Sequence, residues 1–181
     1  MKWILIAVAA LVLLAGGVVV VGMLVPREHV AAVRASYRAS RDQVFGAIHD
    51  VARFAEWRSG LDSVEVLASD GDILRWRESA DWGVLTFQHE EVVPGRRVVS
   101  RIVDEGQGFG GTWSWDIEPE GSGSRVTITE HGVIDNPLYR FMSRYMMGYY
   151  SSLETYAEDL GRRLGEDVEP RRVRSATRPR P

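Results

Sequence analysis

The residues able to do acid–base chemistry in this chain are carboxylates, imidazoles and phenols. There is no cysteine among the 181 residues, which excludes a disulfide framework, a thiolate metal site and a Cys nucleophile. Glu78, Glu130 and Tyr145 are the candidates for a positioned acid or base in an apolar cavity. Each has a plain structural alternative, since the two Glu can pair with nearby Arg and the Tyr can pack. No two of His29, His49, His89 and His131 share a helical face, and HExxH is absent. His89 and His131 fall on different strand-like runs and would form a metal or general-base pair only if those strands adjoin. Otherwise each is a solvated strand His. Gly106-Gln107-Gly108-Phe109-Gly110-Gly111 matches GxGxxG. A dinucleotide site needs a helix after that motif, whereas Thr112-Trp113-Ser114-Trp115 begins a strand, so the motif reads as a hairpin loop able to rim and gate a cavity. GxSxG and SxxK are absent. No catalytic residue, metal ligand or cofactor is assigned.

The apolar candidates are better defined. Trp113 and Trp115 lie two apart and share a strand face with Ile117, forming core or pocket floor. Trp76 lies on the face opposite Arg75 and Arg77, and an inward Arg there would bind a carboxylate or phosphate. Leu138, Met142, Tyr145, Tyr149, Leu153, Tyr156 and Leu160 recur at three- or four-residue steps, with Met146 and Met147 beside them. That is one buried face of a helix over 136–164, with Asn136 as N-cap, Pro137 at the first position and Gly165 as the stop. Such a face is either core or the wall of an apolar cavity. The expected ligand-binding set is therefore Trp76, Trp113, Trp115, Met142, Tyr145, Met146, Tyr149 and Leu153.

The elements that must position these residues follow from periodicity. Residues 30–37 read as a strand, and Ser40 caps a short helix carrying Val44, Phe45 and Ile48. Asp50 starts a second short helix with Phe54 and Trp57. Six strand-like runs follow at 61–68, 72–79, 82–93, 96–104, 111–118 and 124–134. They are separated by Asp70-Gly71, Asp81, Pro94-Gly95, the 106–111 loop and Gly121-Ser122-Gly123. Connections this short make neighbouring strands antiparallel. The fold class is α+β: a seven-stranded antiparallel curved sheet around a long C-terminal helix, with two short helices after the first strand.

Ahead of this domain, residues 3–25 carry no charge. As a helix they span about 35 Å, enough for a hydrocarbon core of about 30 Å. The run is longer than a signal-peptide core and lacks a small-x-small cleavage site, so a retained single-pass anchor is expected. Arg27, Arg34, Arg38 and Arg41 follow it closely, and the positive-inside rule then favours a cytoplasmic domain over an exported one. Net charge is −3, with 16 basic and 22 acidic residues over 27–165, a balance that repels nucleic acid. Residues 166–181 hold five Arg and three acidic residues with little apolar content, and read as a disordered Arg/Pro-rich tail. The expected organisation is an anchor over 1–26, one domain over 27–165 and the tail over 166–181.

Residues 29–165 resemble the START-like, SRPBCC superfamily of helix-grip domains, including its polyketide cyclase/dehydrase and lipid-transport branch. The resemblance rests on Ser40-Arg41-Asp42-Gln43-Val44-Phe45, Asp50-Val51-Ala52-Arg53-Phe54-Ala55-Glu56-Trp57 and Pro94-Gly95-Arg96-Arg97-Val98. It continues through Gly111-Thr112-Trp113-Ser114-Trp115, Thr127-Ile128-Thr129-Glu130-His131-Gly132 and Asn136-Pro137-Leu138-Tyr139-Arg140-Phe141. It implies binding of a hydrophobic small molecule or lipid between sheet and helix, and carries no catalytic motif. The leading expectation is membrane-anchored binding or transfer of such a molecule. A cyclase- or dehydratase-like enzyme using pocket acid–base residues is the first alternative. A non-catalytic interaction module of a membrane complex is the second. The expected partners are the apolar ligand and the membrane, with oligomeric state open.

Overall fold

The computed structural model describes residues 1–68, 73–81, 83–104 and 106–174. Helix α1 (Lys2–Leu24) is the uncharged N-terminal run, with its side chains almost wholly exposed. After it come β1 (Glu28–Tyr37), α2 (Arg41–His49), a 3₁₀ turn (Val51–Arg53) and α3 (Phe54–Trp57). The α2 start is a capping box, since Ser40 Oγ accepts from Gln43 N and Gln43 Oε1 from Ser40 N.

Strands β2 (Ser63–Leu67), β3 (Arg75–Ala80), β4 (Gly83–Val93), β5 (Arg97–Ile102), β6 (Phe109–Glu120) and β7 (Gly123–Ile134) follow as an antiparallel meander. The expected Asp70-Gly71 turn and the strand starts at Asp72 and Trp82 lie outside the described residues. β7 closes onto β1 in register from Glu28↔Val133 to Tyr37↔Ser124. The sheet has eight strands rather than seven, in the order β2-β3-β4-β5-β6-β7-β1-β8. The extra one, β8 (Arg171–Arg172), pairs with Val33 and Arg34 of β1. It belongs to the stretch expected as tail. Glu166 fastens that stretch by accepting the backbone N–H groups of Arg38 and Ala39 at 2.7 and 2.8 Å, and residues 175–181 lie outside the described residues.

The terminal helix departs from the single continuous rod the stripe suggests. It is split into α4 (Pro137–Met142), a π-helical turn (Ser143–Met147) and α5 (Ser151–Arg163). Gly148, at φ +78° and ψ +162°, makes the break, in a region only glycine enters without strain. Asn136 caps α4 as expected, accepting Leu138 N at 2.9 Å. The two halves have different partners. Leu153, Tyr156, Ala157 and Leu160 of α5 enter the core beside Val33, Val98, Trp115 and Ile128. Tyr37 donates its hydroxyl to Ala157 O at 2.9 Å, and buried Asp159 accepts Ser59 N and Oγ at 2.6 and 2.8 Å, tying α5 to both sides of the domain. By contrast, α4 packs beside the C-terminal end of α1. Gly22 meets the Pro137 backbone with no room for a Cβ. The apolar flank of α1 competes with the sheet for this half of the helix, which a one-dimensional stripe does not register.

Candidate functional site

The site is built by strand alternation on the concave, helix-bearing side of the sheet. His89 on β4, Ser100 on β5, Trp113 on β6 and Glu130 on β7 are successive cross-strand partners, so they share this face. His29 of β1 extends the row to 3.2 Å from Glu130. At the other end the Trp76 ring lies 4.8 Å from that of His89, with Glu78 following on the same face of β3. A polar belt thus crosses the sheet from β1 to β3 between aromatic rings.

Its deep end is tightly built. Arg58 Nη1 donates to Glu78 Oε1 at 2.6 Å, and Trp76 Nε1 donates to the same oxygen at 2.9 Å. The Arg58 guanidinium also stacks over the Phe54 and Tyr156 rings at 5.0 and 5.2 Å. His89 Nδ1 lies 2.9 Å from Ser100 Oγ. Four buried polar atoms on this side have no protein partner among the described residues: Glu78 Oε2, His89 Nε2, Trp115 Nε1 and Tyr156 Oη. Each such group costs about 1–3 kcal/mol when left unsatisfied, so four of them on one side of the sheet need an explanation beyond packing. Burial, and then the neighbouring His49 ring, push the His89 imidazole down to about 4. It is neutral at physiological pH and a weak base. Burial pushes the Tyr156 phenol far up, so it stays a neutral donor.

The expected residues are only partly assembled. Trp113, Trp115, Tyr149 and Leu153 meet in the main core, and Trp76 stands in a second cluster with Val51 and Phe54. Met142, Tyr145 and Met146 leave the sheet with the first half of the split helix, Tyr145 and Met146 being exposed. Under α5 the space is filled by rings, with Tyr156 centred 5.4 Å from both Trp115 and Trp57. A groove of about 510 Å³ lies elsewhere, between α2, the 3₁₀ turn and the end of α5. Gln43, Asp50, Arg53 and Arg163 line it, and none of the eight expected residues does. Phe87, Trp113, Glu130 and His29 face the same side and are mostly buried, the His29 and Glu130 side chains being 11% and 14% exposed, with the Tyr149 ring stacked 4.1 Å from that of His29.

Of the acid–base candidates, Glu78 pairs with Arg58 deep in the fold, Glu130 pairs with His29, and Tyr145 is outside. His89 and His131 are not brought together, because β5 and β6 separate their strands and alternation puts them on opposite faces. His89 is also buried rather than solvated. Arg75 and Arg77 point outward onto Gln88 and Glu65. The 106–111 glycine motif leads into strand β6, and Gly108 O accepts from Asp135 N and Asn136 N at 2.7 and 3.1 Å. Sequence reasoning missed Arg58, Ser100 and the role of His29, and placed Tyr156 only on the buried stripe and not in the ligand-binding set. The period-two alternation around His89 carried a signal for that residue, but nothing local pointed to Arg58.

A family model described as polyketide cyclase / dehydrase and lipid transport matches residues 28–160. No curated protein sequence matches the chain. Among solved structures it is similar to norcoclaurine synthase from Thalictrum flavum, at 10% identity and TM-score 0.62, covering 81% of this chain and 91% of that one. It is also similar to the Zhui aromatase/cyclase from Streptomyces sp. R1128, at 13% identity and TM-score 0.58, covering 74% and 91%. A third is a protein from Thermus thermophilus, at 19% identity and TM-score 0.58, covering 73% and 97%. At these identities the likeness is one of fold.

Proposed function

The chain belongs to the polyketide cyclase / dehydrase and lipid transport family, and from that membership we propose that it binds a largely apolar small molecule or lipid on the concave face of its sheet while α1 holds it at a membrane. The observation that carries the reading is that Glu78 Oε2, His89 Nε2, Trp115 Nε1 and Tyr156 Oη are buried on the helix-bearing side of the sheet with no partner among the described residues. Apolar walls with a few aimed polar groups are what a ligand site of this kind requires. Tethering raises the local concentration of a membrane-borne ligand around the domain. The arginines after α1 favour the cytoplasmic side.

The test is mass spectrometry of small molecules that co-purify with the full chain extracted gently from its native membrane. The expected result is a stoichiometric apolar compound bearing a polar group, depleted in His89→Phe and Tyr156→Phe variants. Repeatedly empty protein, or a compound retained equally by both variants, overturns the proposal.

A second reading, acid–base chemistry on the same ligand, rests on the buried His89 Nε2, which has no protein partner among the described residues and, with its value held at about 4, would serve as a hydrogen-bonding group or weak base. The cyclases and synthases among the similar folds keep that reading alive without deciding it. Under it the recovered compound differs from the one supplied, and His89→Phe stops the conversion.

A further inference from the structure

The half of the terminal helix that leaves the sheet carries an apolar surface left uncovered by the described residues. Tyr145, Met146 and Met147 are 60%, 73% and 64% exposed, and Leu138 and Tyr139 are 43% and 42% exposed. Phe109, from the β6 start, adds its ring 6.3 Å from that of Tyr139. Contiguous exposure of large apolar side chains marks an interaction surface.

What covers it is read from α1. The residues of α1 and its end withdrawn from solvent are Val18, Val19, Gly22 and Val25, one helical stripe on the side where Gly22 meets Pro137. Arg140 Nη1 also donates to Val25 O at 2.9 Å. From Val18 to Val25 the helix rises about 10 Å. A span the length of α1 exceeds a hydrocarbon core of about 30 Å by only a few ångström, so its last 10 Å or so runs from the outer acyl layer into the headgroups. An element packed along that stretch shares its depth. The composition suits that layer, with tyrosines and methionines beside the exposed Arg144, whose guanidinium lies 5.9 Å from the Tyr145 ring. No carboxylate occurs between Asp135 and Glu154, so an anionic leaflet meets no repulsion.

We propose that Pro137–Met147 is an interfacial segment whose apolar face beds into the lipid surface. The inference rests on the reading of α1 as a membrane span.

Because the chain has no cysteine, single Cys substitutions carrying an environment-sensitive fluorophore give a direct test. The full chain is reconstituted into phosphatidylcholine–phosphatidylglycerol vesicles containing nitroxide lipids labelled at shallow or deep positions. Leu11→Cys reports α1, Met146→Cys and Met147→Cys report the segment, and Ser63→Cys reports the far edge of the sheet. The expected result is deep quenching at Leu11, shallow quenching of about twofold at both Met positions, and none at Ser63. Quenching at Leu11 with both Met positions behaving like Ser63 overturns the docking while the anchor stands. The apolar face is then covered by the chain's own sheet, a second copy or another protein. No quenching at Leu11 overturns the anchor and the docking together.

Discussion

Arg140, on the first half of the terminal helix, donates a 2.9 Å hydrogen bond to the carbonyl of Val25, at the end of the N-terminal apolar helix. Val25 is the C-cap of α1, whose carbonyl lacks an intrahelical donor, and the Arg140 guanidinium supplies one, while Arg140 Nε has no partner among the described residues. This contact joins α1 to the rest of the fold and explains where the missing half of the expected helix has gone.

Gly22→Leu inserts a side chain where the Pro137 backbone already sits. Overpacking of this kind costs about 1–3 kcal/mol, enough to lift α4 off α1. Trypsin cleavage after Arg140 and Arg144 in detergent-solubilised protein should accelerate roughly tenfold or more. Gly16→Leu, which faces open space, should leave the rate unchanged.

Glu78→Ala leaves Arg58 and Trp76 Nε1 without their shared acceptor. Breaking a buried pair costs about 3–5 kcal/mol. Arg58 keeps some solvent contact, with its side chain 22% exposed, which moves the expected loss to about 2–4 kcal/mol. A chemical denaturation curve of the full chain in detergent reads it. A change below about 0.5 kcal/mol would show that the pair contributes little.

Stability should fall on acidification through one imidazole. His89 has an ordinary value near 6.5 and is held down at about 4 in the fold, by burial first and His49 second. Between those values the unfolded chain binds the proton and the folded chain does not. Its stabilising contribution is therefore complete above about pH 6.5 and is lost as pH falls toward 4. The slope amounts to about 2–3 kcal/mol across the window. Melts in a pH series should show it, and His89→Phe should flatten it.

Tyr156→Phe separates packing from recognition. The hydroxyl has no protein partner among the described residues, so its removal should leave the unliganded fold within about 1 kcal/mol of the parent, or stabilise it. Loss of the co-purifying compound alongside unchanged stability would place that hydroxyl on the ligand. A large destabilisation would instead mean that the hydroxyl is satisfied within the fold.

Gly148→Ala should strain the break. An alanine at φ +78°, ψ +162° costs about 1–3 kcal/mol, although its Cβ would meet no neighbouring atom. A lowered melting temperature, or a larger far-ultraviolet helical signal if the segment straightens, is the expected outcome. An unchanged protein would show that the break does not depend on a left-handed residue.

Much of the architecture is local information. The β6 alternation of Trp113, Trp115 and Ile117, the Ser40 and Asn136 caps and the short glycine turns each follow from nearest-neighbour physics, and together they specify an antiparallel meander closed by β1. The charge-free run of α1 is equally plain as a helix. The site is less legible. The eight apolar candidates come from a single stripe and a few tryptophans, whereas the belt from His29 to Glu78 exists only because strand register places six strands' side chains in one row. Arg58 reaches Glu78 across 20 residues, and Tyr156 comes to the same place from α5. The break at Gly148 has the same origin. Periodicity states that a face must be buried, but the competition between sheet and α1 for that face is settled only once both surfaces stand side by side in three dimensions.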